Sequence, residues 1–175
     1  IFNKSKILYN FHLARSAIRK SRQLVLFEGF ADCIAADRAG IENGVATMGT
    51  SLTDDHVALI RRNVESVTIC YDSDNAGIEA AYRAATLLTE SGTQVKIAVM
   101  PDGNDPDDYI KKYGTEKFNH EVIGSSLTFM AFKLLYLKKG KDLGNEGNRL
   151  QYIEEVLREI SQLDKAVERD HYLRQ

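Results

Sequence analysis

Glu28, Asp72, Asp74, Asp105 and Asp107 are the side chains whose types and spacing point first to chemistry. Glu28 closes the apolar run Leu24-Val25-Leu26-Phe27. Asp72 and Asp74 follow Val67-Thr68-Ile69-Cys70-Tyr71, and Asp105 and Asp107 come soon after Val95-Lys96-Ile97-Ala98-Val99-Met100. Short apolar runs of this kind read as buried strands. In an open parallel sheet, ligands bind in the crevice beyond the carboxyl ends of the strands. Acids gathered there repel one another unless cations neutralise them, and hard divalent ions that take oxygen ligands, above all Mg²⁺, are the natural partners. Asp32, one turn after Glu28, either joins the same pocket or is an exposed first-turn acid favoured by the helix dipole.

The elements that must position these acids alternate. Helical spacing of Ile7, Leu8, Phe11, Ala14 and Ile18 predicts a helix over 5–20. A strand follows at 24–28, then a helix over 31–39 stopped by Gly40, and a short strand near 44–47. Thr53 is a candidate N-cap with Asp54 and Asp55 in the first turn, opening a helix that runs to about 63. A strand at 67–71, a helix over 75–90 and a strand at 95–100 complete the pattern. This βαβαβαβ order implies a mostly parallel four-stranded sheet with flanking helices. Glu28 and Asp72 meet only if the first and third strands are neighbours, which favours the order 2-1-3-4. A loop and short helix over 101–113 end at Gly114. Helices over 126–139, 146–163 and from 165 onward form a small C-terminal helical subdomain. There Leu150, Ile153, Val156, Leu157 and Ile160 keep helical spacing, as a helical hairpin packing on itself would. The expected divisions are a basic lead-in helix at 1–22, an α/β domain at 23–118 and a helical subdomain at 119–175.

The chain has 175 residues and a formal net charge of −2, room for one domain and a small appendage. No apolar run approaches a membrane span of about 20 residues, and no signal-peptide pattern is present. Cys33 and Cys70 fall in apolar segments without a metal-type motif, as buried thiols of a reducing cytosol do. Residues 1–22 carry Lys4, Lys6, Arg15, Arg19, Lys20 and Arg22 and no acid, whereas 72–108 is rich in Asp. A basic arm beside an acidic pocket suits a protein that holds a polyanion while metals act on it; a solvated basic helix face fits the same charges. The start at Ile1 and the end at Gln175 suggest a piece of a longer protein.

Two familiar meanings of Asp72-x-Asp74 fail or weaken. An EF-hand loop needs Asp or Asn at its fifth position and Glu at its twelfth, where Ala76 and Arg83 stand. A haloacid-dehalogenase Asp-x-Asp follows the first strand of its fold, and this one follows the third. No Ser-His-Asp or Cys-His set is evident, and His12, His56, His120 and His171 are read as surface or packing residues.

Glu28-Gly29 with Asp72-Ser73-Asp74, spaced through an α/β unit, resembles the Toprim domain. Further segments resemble the DnaG-type bacterial DNA primases: Phe27-Glu28-Gly29-Phe30-x-Asp32, Val45-Ala46-Thr47-Met48-Gly49-Thr50-Ser51-Leu52-Thr53, Asp72-x-Asp74-x-Ala76-Gly77 and Pro101-Asp102-Gly103-x-Asp105-Pro106-Asp107. Phe2-Asn3-Lys4-Ser5 and Leu8-Tyr9-Asn10-Phe11 resemble the segment leading into that domain. The resemblance covers most of 1–118, with weaker signal after 125.

It implies synthesis of short RNA primers on single-stranded DNA from ribonucleoside triphosphates. Glu28, Asp72 and Asp74 would be catalytic and, with Asp105 and Asp107, would hold two or more Mg²⁺ or Mn²⁺ ions, with Asp32 supporting. Lys4, Arg15, Arg19, Lys20 and Arg22 would line the nucleic-acid groove. The family's zinc-binding domain, the N-terminal half of its polymerase domain and its helicase-binding domain are expected to lie outside this chain, so the replicative helicase would be reached through a missing C-terminal domain. A monomeric, cytoplasmic piece, unable to prime alone, is the expectation. The rival readings are a Toprim nuclease of the overcoming-lysogenization-defect type and a non-catalytic Toprim binding module.

Overall fold

Short β-branched runs alternating with Ala- and Leu-rich segments place helices against a central sheet. The computed structural model describes residues 3–101 and 103–175, so Phe2 and Asp102 of the quoted motifs lie outside the described residues. Five strands, β1 (Gln23–Phe27), β2 (Gly44–Ala46), β3 (Ser66–Cys70), β4 (Gln94–Ile97) and β5 (Leu127–Thr128), run in the order β2-β1-β3-β4-β5. The pairs β1–β2, β1–β3 and β3–β4 are parallel. The expected order of the first four strands is therefore found, with β1 and β3 adjacent. The sheet has a fifth strand that the four-stranded expectation missed, because two residues carry no readable period.

Leu26 stands opposite Val45 on one side and Ile69 on the other, and Ile69 opposite Ile97. All four are buried. Each aliphatic side chain so buried contributes roughly 1.5–3 kcal/mol. The helices α1 (Phe11–Ser21), α2 (Phe30–Arg38), α3 (Asp54–Asn63), α4 (Asn75–Glu90) and α5 (Pro106–Tyr113) supply the rest of the core through Ile18, Cys33, Ala36, Ile60, Ala85, Leu88 and Tyr109. A short α6 (Thr115–Lys117) leads into a π-helical turn, Phe118–Ile123, whose Phe118 and Val122 are buried in the same core.

Two expected boundaries move, each for a visible reason. The helix expected from residue 5 begins at Phe11. Tyr9 pairs with Ala46 in an antiparallel bridge instead, with hydrogen bonds of 2.8 and 3.3 Å, and Asn10 adopts a left-handed φ of 64°. The last expected strand ends at Ile97 rather than Met100. Its partner β3 ends at Cys70, so after the Ala98 amide bonds Ile69 O the ladder has nothing to continue on.

The chain divides between Leu127 and Thr128 into two compact units. The second contains α7 (Phe129–Lys138), α8 (Glu146–Ser161) and α9 (Ala166–Leu173). A Lys133–Glu159 ion pair and a Tyr152 hydroxyl bond to Leu134 O join α7 to α8, and a Lys141–Glu155 pair ties the segment after α7 to α8. The expected self-packed stripe is divided between two faces. Ile160 is buried and Val156 half-buried, whereas Leu150, Ile153 and Leu157 are 58, 44 and 48 % exposed. Among the described residues no helix is long and apolar enough to cross a membrane.

Thr53 caps α3 as expected, and its partner is a histidine. Thr53 Oγ1 accepts the His56 amide, and the Thr53 amide reaches His56 Nδ1. Nδ1 is thus an acceptor, so Nε2–H donates to Lys4 O at 3.0 Å. The Thr53 hydroxyl itself donates to Ser5 O at 2.6 Å. One capping box therefore pins the segment before α1. Thr53→Ala should lower stability by about 1–2 kcal/mol, read as a lower urea midpoint, while Thr53→Ser, which keeps both bonds, should stay within about 0.5 kcal/mol of the parent.

Candidate metal centre

The parallel pairing sets the site. Phe27 faces Cys70 across β1 and β3, so the residues just beyond, Glu28 on one strand and Tyr71-Asp72 on the other, leave the sheet side by side. Glu28 and Asp72 are half-buried. Gly29 is the N-cap of α2, and a Cβ there would lie 2.9 Å from Asp32 Oδ2. Only glycine leaves Asp32 its place, 8 % exposed in the first turn.

Asp74 and Asp105 are helix caps as well as site acids. Asp74 Oδ1 accepts the Gly77 amide at 2.6 Å, and Asp105 Oδ1 accepts the Asp108 amide at 2.7 Å. Each carboxylate is aimed by its cap and retains a second oxygen. Gly77 is required by a close approach: a Cβ there would sit 2.4 Å from Asp72 O, and its amide is taken by Asp74. Asp107 pairs with Lys111 at 2.6 Å, and its amide donates to Asp32 Oδ1 at 3.3 Å. Ser73 Oγ donates to Asn104 O and accepts the Asn104 amide, at 3.0 and 3.2 Å, tying the loop after β3 to the loop before α5.

The acids feel one another. Burial holds the Glu28 carboxyl above its ordinary value, and the charges of Asp72 and Asp74 add to this while Arg83 opposes it. Burial, then Asp105 and Asp74, raise Asp72. Asp32 is raised to about 6, chiefly by burial, against the stabilising Asp107 amide and with Asp72, Asp105 and Asp107 adding repulsion. Asp72 Oδ1 is buried without a hydrogen-bond partner. A buried acceptor left unpaired costs about 1–3 kcal/mol, more when charged. Among the described residues no three His, Cys, Asp or Glu side chains already converge as a ready-made metal cage. The orphaned oxygen, the carboxylate donors and their mutual repulsion fit an ion such as Mg²⁺, which takes one or two carboxylates and keeps several waters.

Sequence reasoning missed three neighbours. Buried Tyr71 meets Thr47 and the Glu28 charge, and burial pushes its phenol up. Thr47 Oγ1 donates to Glu28 O at 3.3 Å. Arg83 offsets the Glu28 charge from α4. Thr47 and Tyr71 sit at strand ends, the signal that found the acids; Arg83 had been noticed only as the wrong residue for a calcium loop.

Of the basic residues, Lys4, Arg15, Arg19 and Lys20 are exposed. Arg22 stands apart: its guanidinium donates to Asn63 O at 3.1 Å and approaches Glu65 at 3.4 Å. His56 is a buried packing residue.

A family model described as Toprim-like matches residues 25–110, and one described as the DnaB-helicase binding domain of primase matches 130–175. The second match corrects the expectation that helicase-binding sequence lies wholly outside this chain. A DNA primase of Halalkalibacterium halodurans is 59 % identical over the whole chain, which spans 29 % of that relative's length. The RNA polymerase domain of Mycobacterium tuberculosis primase DnaG superposes with a TM-score of 0.81 at 26 % identity, covering 99 % of this chain and 56 % of that one. A DnaG primase catalytic domain bound to ssDNA gives 0.76 at 32 % identity, covering 98 % and 55 %. The α/β sheet with acids after β1 and β3, and the helical unit that follows in the chain, are thus matched from end to end by proteins of one kind, and the chain belongs to the bacterial DnaG-type primase family.

Proposed function

We propose that this chain forms the metal-dependent centre of a DNA primase, which makes short RNA primers on single-stranded DNA by nucleotidyl transfer. The observation that carries the reading is Asp72 Oδ1, buried and unpaired among acids that raise one another's proton affinity. Two or more Mg²⁺ or Mn²⁺ ions, when bound, would supply charge neutralisation for a triphosphate and activation of a primer hydroxyl. Asp72 and Glu28 would be the central ligands. Asp74 and Asp105 would each offer the oxygen their caps leave over. Asp107, held by Lys111, and Asp32, held by the Asp107 amide, would fix the outer edge of the pocket. Lys4, Arg15, Arg19 and Lys20 are free of the contacts that occupy Arg22, and suit the phosphates of a template.

Identity of 59 % with a DNA primase favours polymerisation over the nuclease and the non-catalytic module. The match of 130–175 supports a replicative helicase as partner, and Leu150, Ile153 and Leu157 give it an apolar face to engage.

In a primase carrying this segment, Asp72→Asn should cut primer synthesis at least about a hundredfold, with the melting temperature in chelator unchanged or raised. Retained synthesis would refute the assignment, and cleavage of the template without primer products would favour the nuclease. Asp32 has a folded-state pKa of about 6 against an unfolded value near 4. Its contribution to stability is therefore complete below about pH 4 and is lost as pH rises through about 6. In chelator, Asp32→Asn should stabilise the chain by about 1–3 kcal/mol at pH 7.5 and by nothing at pH 4; urea melts at both values check this. Ile153→Glu with Leu157→Glu should weaken co-sedimentation with the replicative helicase about tenfold or more while leaving helicase-free priming intact.

A further inference from the structure

Phe30 follows the Glu28-Gly29 pair and opens α2, yet it is 58 % exposed. A lone exposed apolar side chain needs no explanation, but Phe30 is not alone. The Tyr9 ring lies against it, with centroids 6.1 Å apart and planes tilted by 56°. Tyr9 is itself held firmly: its amide and carbonyl bond Ala46 at the end of β2, and its side chain packs on the main core. The chain has thus fixed an open aromatic surface where a flexible polar residue would have been cheaper to solvate.

Its place matters more than its exposure. Phe30 and Asp32 are two residues apart on a helix, about 200° around its axis. Asp32 turns toward the Asp107 amide and the charge of Asp72; Phe30 turns the other way, toward Tyr9 on the β2 flank. Glu28 precedes both, just beyond the end of β1. Tyr9 thus lies on the β2 flank, two strand spacings of about 5 Å each from β3, and Asp72 follows the end of β3. Beyond Tyr9 begins α1 with exposed Arg15, Arg19 and Lys20. An aromatic face between a basic helix and a phosphate-directed acid site is the arrangement that single-stranded nucleic acid recognises, with bases stacking on rings and cations following the backbone.

We propose that Phe30, backed by Tyr9, is a stacking platform for a nucleobase whose phosphate is directed at the acid pocket. The base belongs either to a single-stranded DNA template or to a ribonucleoside triphosphate. The inference rests on the primase reading above. Stacking tolerates any base, so the platform confers position without sequence preference.

The chain has no tryptophan, so Phe30→Trp places a single reporter at the platform. Its fluorescence is titrated with a dT16 oligonucleotide, with an abasic oligomer of the same length, and with ATP. Quenching by dT16 and not by the abasic oligomer is expected if the base comes from template; quenching by ATP at lower concentration than by dT16 assigns it to the incoming nucleotide. Phe30→Ala should weaken whichever ligand quenches by about fivefold to a hundredfold, and Phe30→Tyr should restore it. Equal quenching by the abasic oligomer, absence of quenching by all three ligands, or unchanged affinity in Phe30→Ala overturns the platform. Priming by the intact primase separates the two ideas. Loss of priming in Asp72→Asn with normal priming and binding in Phe30→Ala removes the platform alone, whereas normal priming in Asp72→Asn removes the reading on which it rests.

Discussion

The register of β1 on β3 is the constraint from which the rest follows. With Phe27 opposite Cys70, the chain delivers Glu28 and Asp72 to the same edge of the sheet within one residue of each other. A slip of β1 by one position would exchange the faces to which Leu24, Val25, Leu26 and Phe27 point and carry Glu28 out of step with Asp72. The burial that fixes the strands therefore also fixes the separation of the two carboxylates, and neither can be adjusted independently.

This arrangement works against the stability of the fold. Glu28, Asp32 and Asp72 all have raised proton affinities, with burial the leading cause in each. Local bonds offset part of the tension: the Gly77 and Asp108 amides on Asp74 and Asp105, the Asp107 amide on Asp32 and Lys111 on Asp107. What they leave uncompensated is concentrated on Asp72 Oδ1. A site that is strained when empty is one in which ligand binding and folding share the same free energy.

Much of this was legible in the chain. The strands at 24–28 and 67–71 announced themselves by β-branched and apolar runs, α4 by its alanines and leucines, and α3 by Thr53. The strand order came from requiring the acids to meet. Longer-range partners were hidden. Nothing in the local pattern of Ile7 and Leu8 says that Tyr9 will pair with Ala46 and delay α1, and nothing around Val99 says that β3 will end too soon to hold it. Gly77 is opaque for the same reason, since its neighbour is the carbonyl of Asp72, brought there by folding. Spacing in α8 showed that Leu150, Ile153 and Leu157 share a surface with helical period, but spacing alone does not tell which side of a helix finds a partner.

Ser73 and Asn104 exchange two hydrogen bonds, of 3.0 and 3.2 Å. They fasten the turn that carries Asp72 and Asp74 to the turn that carries Asp105, two segments about thirty positions apart in the chain. Both bonds converge on the single Ser73 Oγ, which clasps the Asn104 amide and carbonyl together. The two halves of the acid pocket are thereby tied to each other, and Asp32 at the start of α2 ties a third segment to them through the Asp107 amide. Three stretches far apart in the chain thus meet at the pocket as one bonded frame.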